Sequence, residues 1–150
     1  MLSQHLEMVM RPTQRKSRVK NILAQKDAVK SRLKEGMVLA NSQRNLWAMF
    51  LKDASTPGQF RYQLFDVHGF YSHMTFNSLE EAFNDAFLCG FRYPEEGVLD
   101  RLISKKEWKA GSRRDIERNR YNAGEISFEE MMARFKKINA EFCIKSQTFR

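Results

Sequence analysis

The sequence predicts an α+β fold: a basic N-terminal helix, a three-stranded antiparallel β-meander, and about four helices packed on it. Three observations lead there. Apolar residues recur at helical spacing before Met37, apolar and polar residues alternate between residues 45 and 76, and two Ser-x-Glu-Glu helix starts follow. With 150 residues, twelve Phe and 42% hydrophobic content, the chain can bury a core as one domain, residues 1–150. That domain divides into the basic helix at about 14–37, a meander and helix at about 45–90, and a helical part at about 94–145.

The first helix is marked by Val19, Ile22, Leu23, Val29, Leu33 and Met37, which share one face at 3.6 residues per turn. Gly36 and then Asn41-Ser42 end the pattern. Lys26 and Lys30 fall inside the apolar arc, so the helix is expected to dock only in part. Leu46 to Leu51 reads as a first strand, and Ser55-Thr56-Pro57-Gly58 as the turn after it. In the second strand Phe60, Tyr62 and Leu64 face inward, with Arg61 and Gln63 on the other side. Asp66-Val67-His68-Gly69 turns the chain into a third strand. There Phe70, Met74 and Phe76 are expected inside, and Tyr71, His73 and Thr75 outside.

Ser78-Leu79-Glu80-Glu81 caps a helix that buries Ala82, Phe83, Ala86 and Phe87, with Gly90 closing it. Pro94-Glu95-Glu96 opens a short helix carrying Val98, Leu99, Leu102 and Ile103. Another runs from Ser112 to Tyr121, bounded by Gly111 and Gly124. Ser127-Phe128-Glu129-Glu130 begins the terminal helix, whose apolar face holds Phe128, Met131, Met132, Phe135, Ile138, Phe142 and Cys143.

Charge is the main functional signal. Residues 1–52 contain eleven Lys or Arg against three acids, a surplus equal to the whole chain's net charge of +8, while residues 53–150 carry fifteen of each sign. Arg11, Arg15, Lys16, Arg18, Lys20, Lys26, Lys30, Arg32 and Lys34 are answered within their segment only by Asp27. Helical bases are ordinarily met by acids three or four positions away, and here they are not. The one-sidedness points to a polyanion, DNA more than RNA, contacted by a non-enzymatic nucleic-acid-binding protein. Arg113 and Arg114 are candidates to extend that surface. The alternative partner is an acidic surface of a nucleic-acid-processing protein, bound and modulated by a small module of the phage or mobile-element type.

A third reading is a metal-dependent nuclease. Glu107-Trp108-Lys109 has the acid-x-lysine spacing of such enzymes, with Asp66 or Asp100 as the upstream acid. The pairs Glu80-Glu81, Glu95-Glu96 and Glu129-Glu130 are read as helix-start acids rather than catalytic pairs. His5, His68 and His73 lack metal-ligand spacing with the cysteines, so no metal or cofactor is expected. Cys89 and Cys143 lie in apolar helical patterns and read as buried thiols. With no secretory leader pattern and no apolar run long enough to cross a bilayer, a cytoplasmic protein without membrane contact is expected.

The order of three strands and then Ser78-Leu79-Glu80-Glu81-Ala82, from Leu46 to Phe87, is similar to the arm-type DNA-binding domains of phage integrases and to a strand-strand-strand-helix class of plant DNA-binding domains. In those families the exposed sheet face enters the major groove. The likeness implies that Arg61, Gln63, Tyr71, His73 and Thr75 occupy that face here. With the first helix added, the order also resembles double-stranded RNA-binding domains, although Glu80-Glu81 replaces their Lys-rich helix start. Neither likeness assigns the chain to a family.

Overall fold

A computed structural model describes residues 12–145. Among them are five helices and one five-stranded sheet. Helix α1 spans Pro12–Lys30; β1 is Val38–Asn41, β2 Trp47–Lys52, β3 Phe60–Asp66 and β4 Gly69–Phe76. Helix α2 (Leu79–Leu88) and strand β5 (Phe91–Pro94) follow, then α3 (Val98–Ile103), α4 (Lys106–Asn122) and α5 (Phe128–Glu141). The sheet order is β4-β3-β2-β1-β5, every neighbouring pair antiparallel.

The expected meander is therefore present as β2-β3-β4, but it is part of a larger sheet. Strands β1 and β5 are additions to the sequence reading. Val38–Asn41 pairs with β2 on one side and β5 on the other, and a short strand covered on both faces has no period-two pattern to show. Strand β2 makes the double coverage plain. Ala48 and Phe50 join a core with Val29, Leu39, Tyr62, Phe83 and Phe87 beneath α1 and α2. Trp47 and Met49, on the opposite side of the strand, join Phe65, Val98, Leu102 and Trp108 beneath α3 and α4.

Three boundaries differ from expectation for identifiable reasons. Helix α1 ends at Lys30, because the Gly36 amide already donates to the Phe50 carbonyl (2.7 Å) and the Phe50 amide to Met37 (3.0 Å), drawing residues 36–37 into the sheet. Ser31 Oγ donates to the Ala28 carbonyl at 2.7 Å, capturing an acceptor of the last turn. Pro94 closes β5 instead of opening a helix, and α3 starts at Val98. Helix α4 starts at Lys106 and runs through Gly111, which the sequence reading took for a boundary. That glycine is needed for a close approach: a Cβ there would fall onto the His68 carbonyl oxygen and lie 2.6 Å from its carbon.

Both Ser-x-Glu-Glu starts form as expected, with Ser78 Oγ accepting from the Glu81 amide and Ser127 Oγ from the Glu130 amide, each at 3.1 Å. At the end of α2, Gly90 takes a φ of 96°, which lets the chain reverse directly into β5. Strand β4 carries a register shift opposite Leu64/Phe65. Phe70 consequently pairs with Phe65 and packs edge-on against Trp108 (5.2 Å between centroids), on the sheet face opposite Tyr62 and Phe76. Phe70, Met74 and Phe76 thus do not share one inward face. Cys89 and Cys143 are free and exposed, at the ends of α2 and α5, and not buried as the apolar context implied.

Candidate nucleic-acid interface

Among the described residues, helix α1 packs on the cores through its last turns. Ile22, Val29 and the following Leu33 and Met37 reach the first core, while residues 13–21 are all exposed. Val19 and Leu23, expected inside, are 57% and 56% exposed. The helix projects past the edge of its support, and with it project Arg15, Lys16, Arg18 and Lys20. Arg11 lies outside the described residues.

The fold divides six of the nine bases of this segment, Lys16, Lys20, Lys26, Lys30, Arg32 and Lys34, into two groups. Lys30 is neutralised: its Nζ donates to Glu80 Oε1 at 2.5 Å, and the Glu80 carboxyl is held below the usual glutamate range chiefly by that bond. Lys26 is half-buried with Nζ 6.0 Å from the Phe87 ring centroid. These are the two lysines that intrude on the apolar arc, and their stems cover α2. Lys16, Lys20, Arg32 and Lys34 are exposed and have no acid within ion-pair distance among the described residues. Arg32 and Lys34 stand on one wall of a groove of about 600 Å³ whose other wall carries Glu95 and Glu96.

Several arginines elsewhere are treated differently. Arg101 pairs with Glu95 at 3.0 Å, and Arg120 with Glu117 and Glu125 at 3.5 and 3.2 Å. Arg134 bridges Glu117 (3.2 Å) and Glu130 (3.0 Å), and Arg118 pairs with Asp115. Arg113, proposed above as a surface extension, instead pairs with Glu141, and its guanidinium lies 5.7 Å from the Phe142 ring centre. Arg114 donates to Asn139 Oδ1 at 2.6 Å, and burial lowers its affinity for a proton. Both arginines tie α4 to α5.

The sheet-face candidates are brought together only in part. Arg61 and Thr75 are cross-strand partners, as are Gln63 and His73, so the four share a face. Arg61 is held by Asp53 at 3.8 Å with both side chains largely covered, and Gln63 donates to the Ser72 carbonyl at 2.8 Å. His73 and Thr75 are exposed. Tyr71 occupies the register shift between Phe70 and Ser72, and partial burial with Asp66 nearby raises its phenol above the ordinary range. Helices α3 and α4 cover the β1–β2 end of the same face, so it is a smaller platform than a bare three-stranded sheet offers.

Glu107-Trp108-Lys109 forms the first turn of α4 rather than a strand, with Trp108 buried in the second core. No group of three His, Cys, Asp or Glu side chains converges as a metal site among the described residues. Glu80-Glu81 and Glu129-Glu130 do sit in first helical turns. Glu95-Glu96 does not: Glu95 accepts from Trp47 Nε1 (2.8 Å) and Arg101 (3.0 Å) in the β5–α3 link. None of the helices described is long and apolar enough to cross a membrane. No protein-family profile, curated protein or solved structure matches the chain.

Proposed function

We propose that the protein binds nucleic acid without catalysing a reaction, and that the exposed part of α1 and the segment directly after it supply the phosphate contacts. One observation carries this reading. Arg113, Arg118, Arg120 and Arg134 of α4 and α5 are met by acids, whereas Lys16, Lys20, Arg32 and Lys34 are left exposed and unanswered among the described residues. Each cation that replaces a condensed counterion on duplex DNA contributes about −0.9 to the slope of log affinity against log salt. Four such contacts give a slope of about −3.6, a loss of roughly 150-fold between 50 and 200 mM salt. The test is binding of labelled duplex and single strands across a salt series. Absence of binding to every strand at low salt rejects the proposal; a duplex DNA preference over RNA is the expected order.

A second reading draws on the apolar part of the same projection. Val19 and Leu23 lie beside Arg15, Lys16 and Lys20 in a shallow groove of about 380 Å³, and phosphate contact alone gives two exposed apolar side chains no role. An acidic surface of a nucleic-acid-processing protein would use both. That module reading requires one stoichiometric protein partner to survive nuclease treatment during purification, and loss of every partner on treatment removes it. The nuclease reading gains nothing from the helical placement of Glu107 and Lys109.

A further inference from the structure

We infer that the protein forms a two-fold dimer through α5, with a second copy of the same helix packed antiparallel to it. Helix α5 takes its main support from α4, and among the described residues one side of it is left open as an apolar trough of about 570 Å³. Lys136, Asn139, Ala140 and Ile144 line the C-terminal half of that trough. At 100° per residue, Glu129, Ala133, Lys136 and Ala140 fall within an arc of about 60° on the open side. The two alanines allow close approach of another helix there.

Charge selects the occupant. Glu129 stands near the start of this face and Lys136 two turns later, and neither has a hydrogen-bond or ion-pair partner among the described residues, although Glu130 next door is engaged by Arg134. An antiparallel copy crossing between Met132 and Ala133 sets Glu129 against Lys136 of the second copy, and by symmetry the reverse. Phe128 lies off this arc, its ring packed edge-on against Tyr121 of α4 at 6.0 Å between centroids, so it leaves the open side clear. One helix thereby offers small residues at the crossing point and charges complementary to its own in reverse order. A parallel pairing would oppose Glu129 to Glu129.

The experiment is sedimentation equilibrium of the nuclease-treated full chain over a wide concentration range, with circular dichroism to check folding of each variant. Wild type should show a concentration-dependent dimer. Ala133→Arg, which places a long charged side chain at the crossing point from an exposed position, should remain folded and sediment as a monomer. Glu129→Lys and Lys136→Glu should each raise the dissociation constant about tenfold, since two symmetric pairs change at once. The double variant Glu129→Lys with Lys136→Glu should return the dimer towards wild type. A wild type that stays monomeric at several hundred micromolar overturns the inference. So does a dimer indifferent to Ala133→Arg, or two charge reversals that fail to compensate one another.

Discussion

Gly111 is where the fold makes its sharpest quantitative claim. In an unconstrained helix interior, Gly→Ala stabilises by roughly 1 kcal/mol, because alanine loses less backbone freedom on folding. Here the new Cβ would fall on the His68 carbonyl oxygen, 2.6 Å from its carbon and 3.3 Å from its Cα. The obstruction is backbone, so no rotamer change relieves it, and the β3–β4 turn must move away from α4. That motion pulls on Trp108, which lies edge-on to Phe65 and Phe70 at 6.1 and 5.2 Å. Loosening two such ring contacts costs about 1–3 kcal/mol, and forcing apart a packed contact costs about 1–3 kcal/mol more. Set against the helix gain, Gly111→Ala should destabilise by about 1–5 kcal/mol.

Thermal and urea unfolding measure this directly. For a chain of this length the loss corresponds to a fall in Tm of about 2–20 °C. Intrinsic fluorescence adds a local readout, because Trp108, one of the two tryptophans, lies edge-on to Phe70 beside the displaced turn. Its emission should move to longer wavelength before global unfolding. Ser112→Ala, one position along and exposed, is the control and should change stability by less than about 0.5 kcal/mol. A Gly111→Ala protein as stable as wild type, or more so, would refute the close approach and with it the docking of α4 on the hairpin.

Replacing Lys16, Lys20, Arg32 and Lys34 together by Ser should flatten the salt dependence of duplex binding by about 3.6 in slope, measured by fluorescence anisotropy, and an unchanged slope would remove these four from the interface. Tyr62 donates to Asp85 at 2.6 Å, so Tyr62→Phe leaves a carboxylate short of a donor and should cost about 1–3 kcal/mol in urea unfolding. Burial first, and then Asp85, raise the Tyr62 phenol above its ordinary value. The folded state therefore keeps a proton that the unfolded chain gives up near pH 10, the wild-type advantage over Tyr62→Phe is intact below that pH, and it should shrink as pH rises further. Glu95 behaves in the opposite sense, its carboxyl lowered chiefly by the Trp47 indole bond and also by Arg101. Its contribution is present above the ordinary glutamate value and is lost as pH falls through the lowered one, so acid titration of unfolding should bring wild type and Glu95→Gln together.

How much of this was legible in the sequence depended on whether the signal was local. Helices α2 and α5 were, because a capping serine, its glutamate partner and the apolar stripe all lie within a few residues. The meander was legible too, since β3 and its turn alternate and punctuate openly. Strand β1 was not, because Val38 and Ala40 serve one core and Leu39 the other, so each position is apolar and no period survives. Strand β5 was hidden between Gly90, which closes α2 as expected, and Pro94, which reads as the opening of a helix but here closes the edge strand. At the candidate site, the basic surplus could be counted from the sequence. Its subdivision could not, because Lys30 is answered by Glu80, fifty positions away, and Arg113 by Glu141 at the far end of the chain.

That subdivision makes binding and folding separable. Lys26 and Lys30 sit where α1 meets α2, and changing them alters the packing over Phe87 and the bond to Glu80 as well as the charge. Lys16 and Lys20 sit on turns of α1 whose surroundings are solvent, so Lys16→Ser with Lys20→Ser removes two positive charges while leaving every core residue in place. Exposed substitutions of this kind change stability by less than about 0.5 kcal/mol each. If α1 is the phosphate-contacting element, the pair should therefore lower duplex affinity at low salt with unfolding almost unchanged. Lys30→Ser should do the reverse, weakening the hold of α1 on α2 with little direct loss of phosphate contact, because that ammonium is already committed. Equal effects of the two variants on binding would mean that the fold does not partition the charge as the Lys30–Glu80 bond requires.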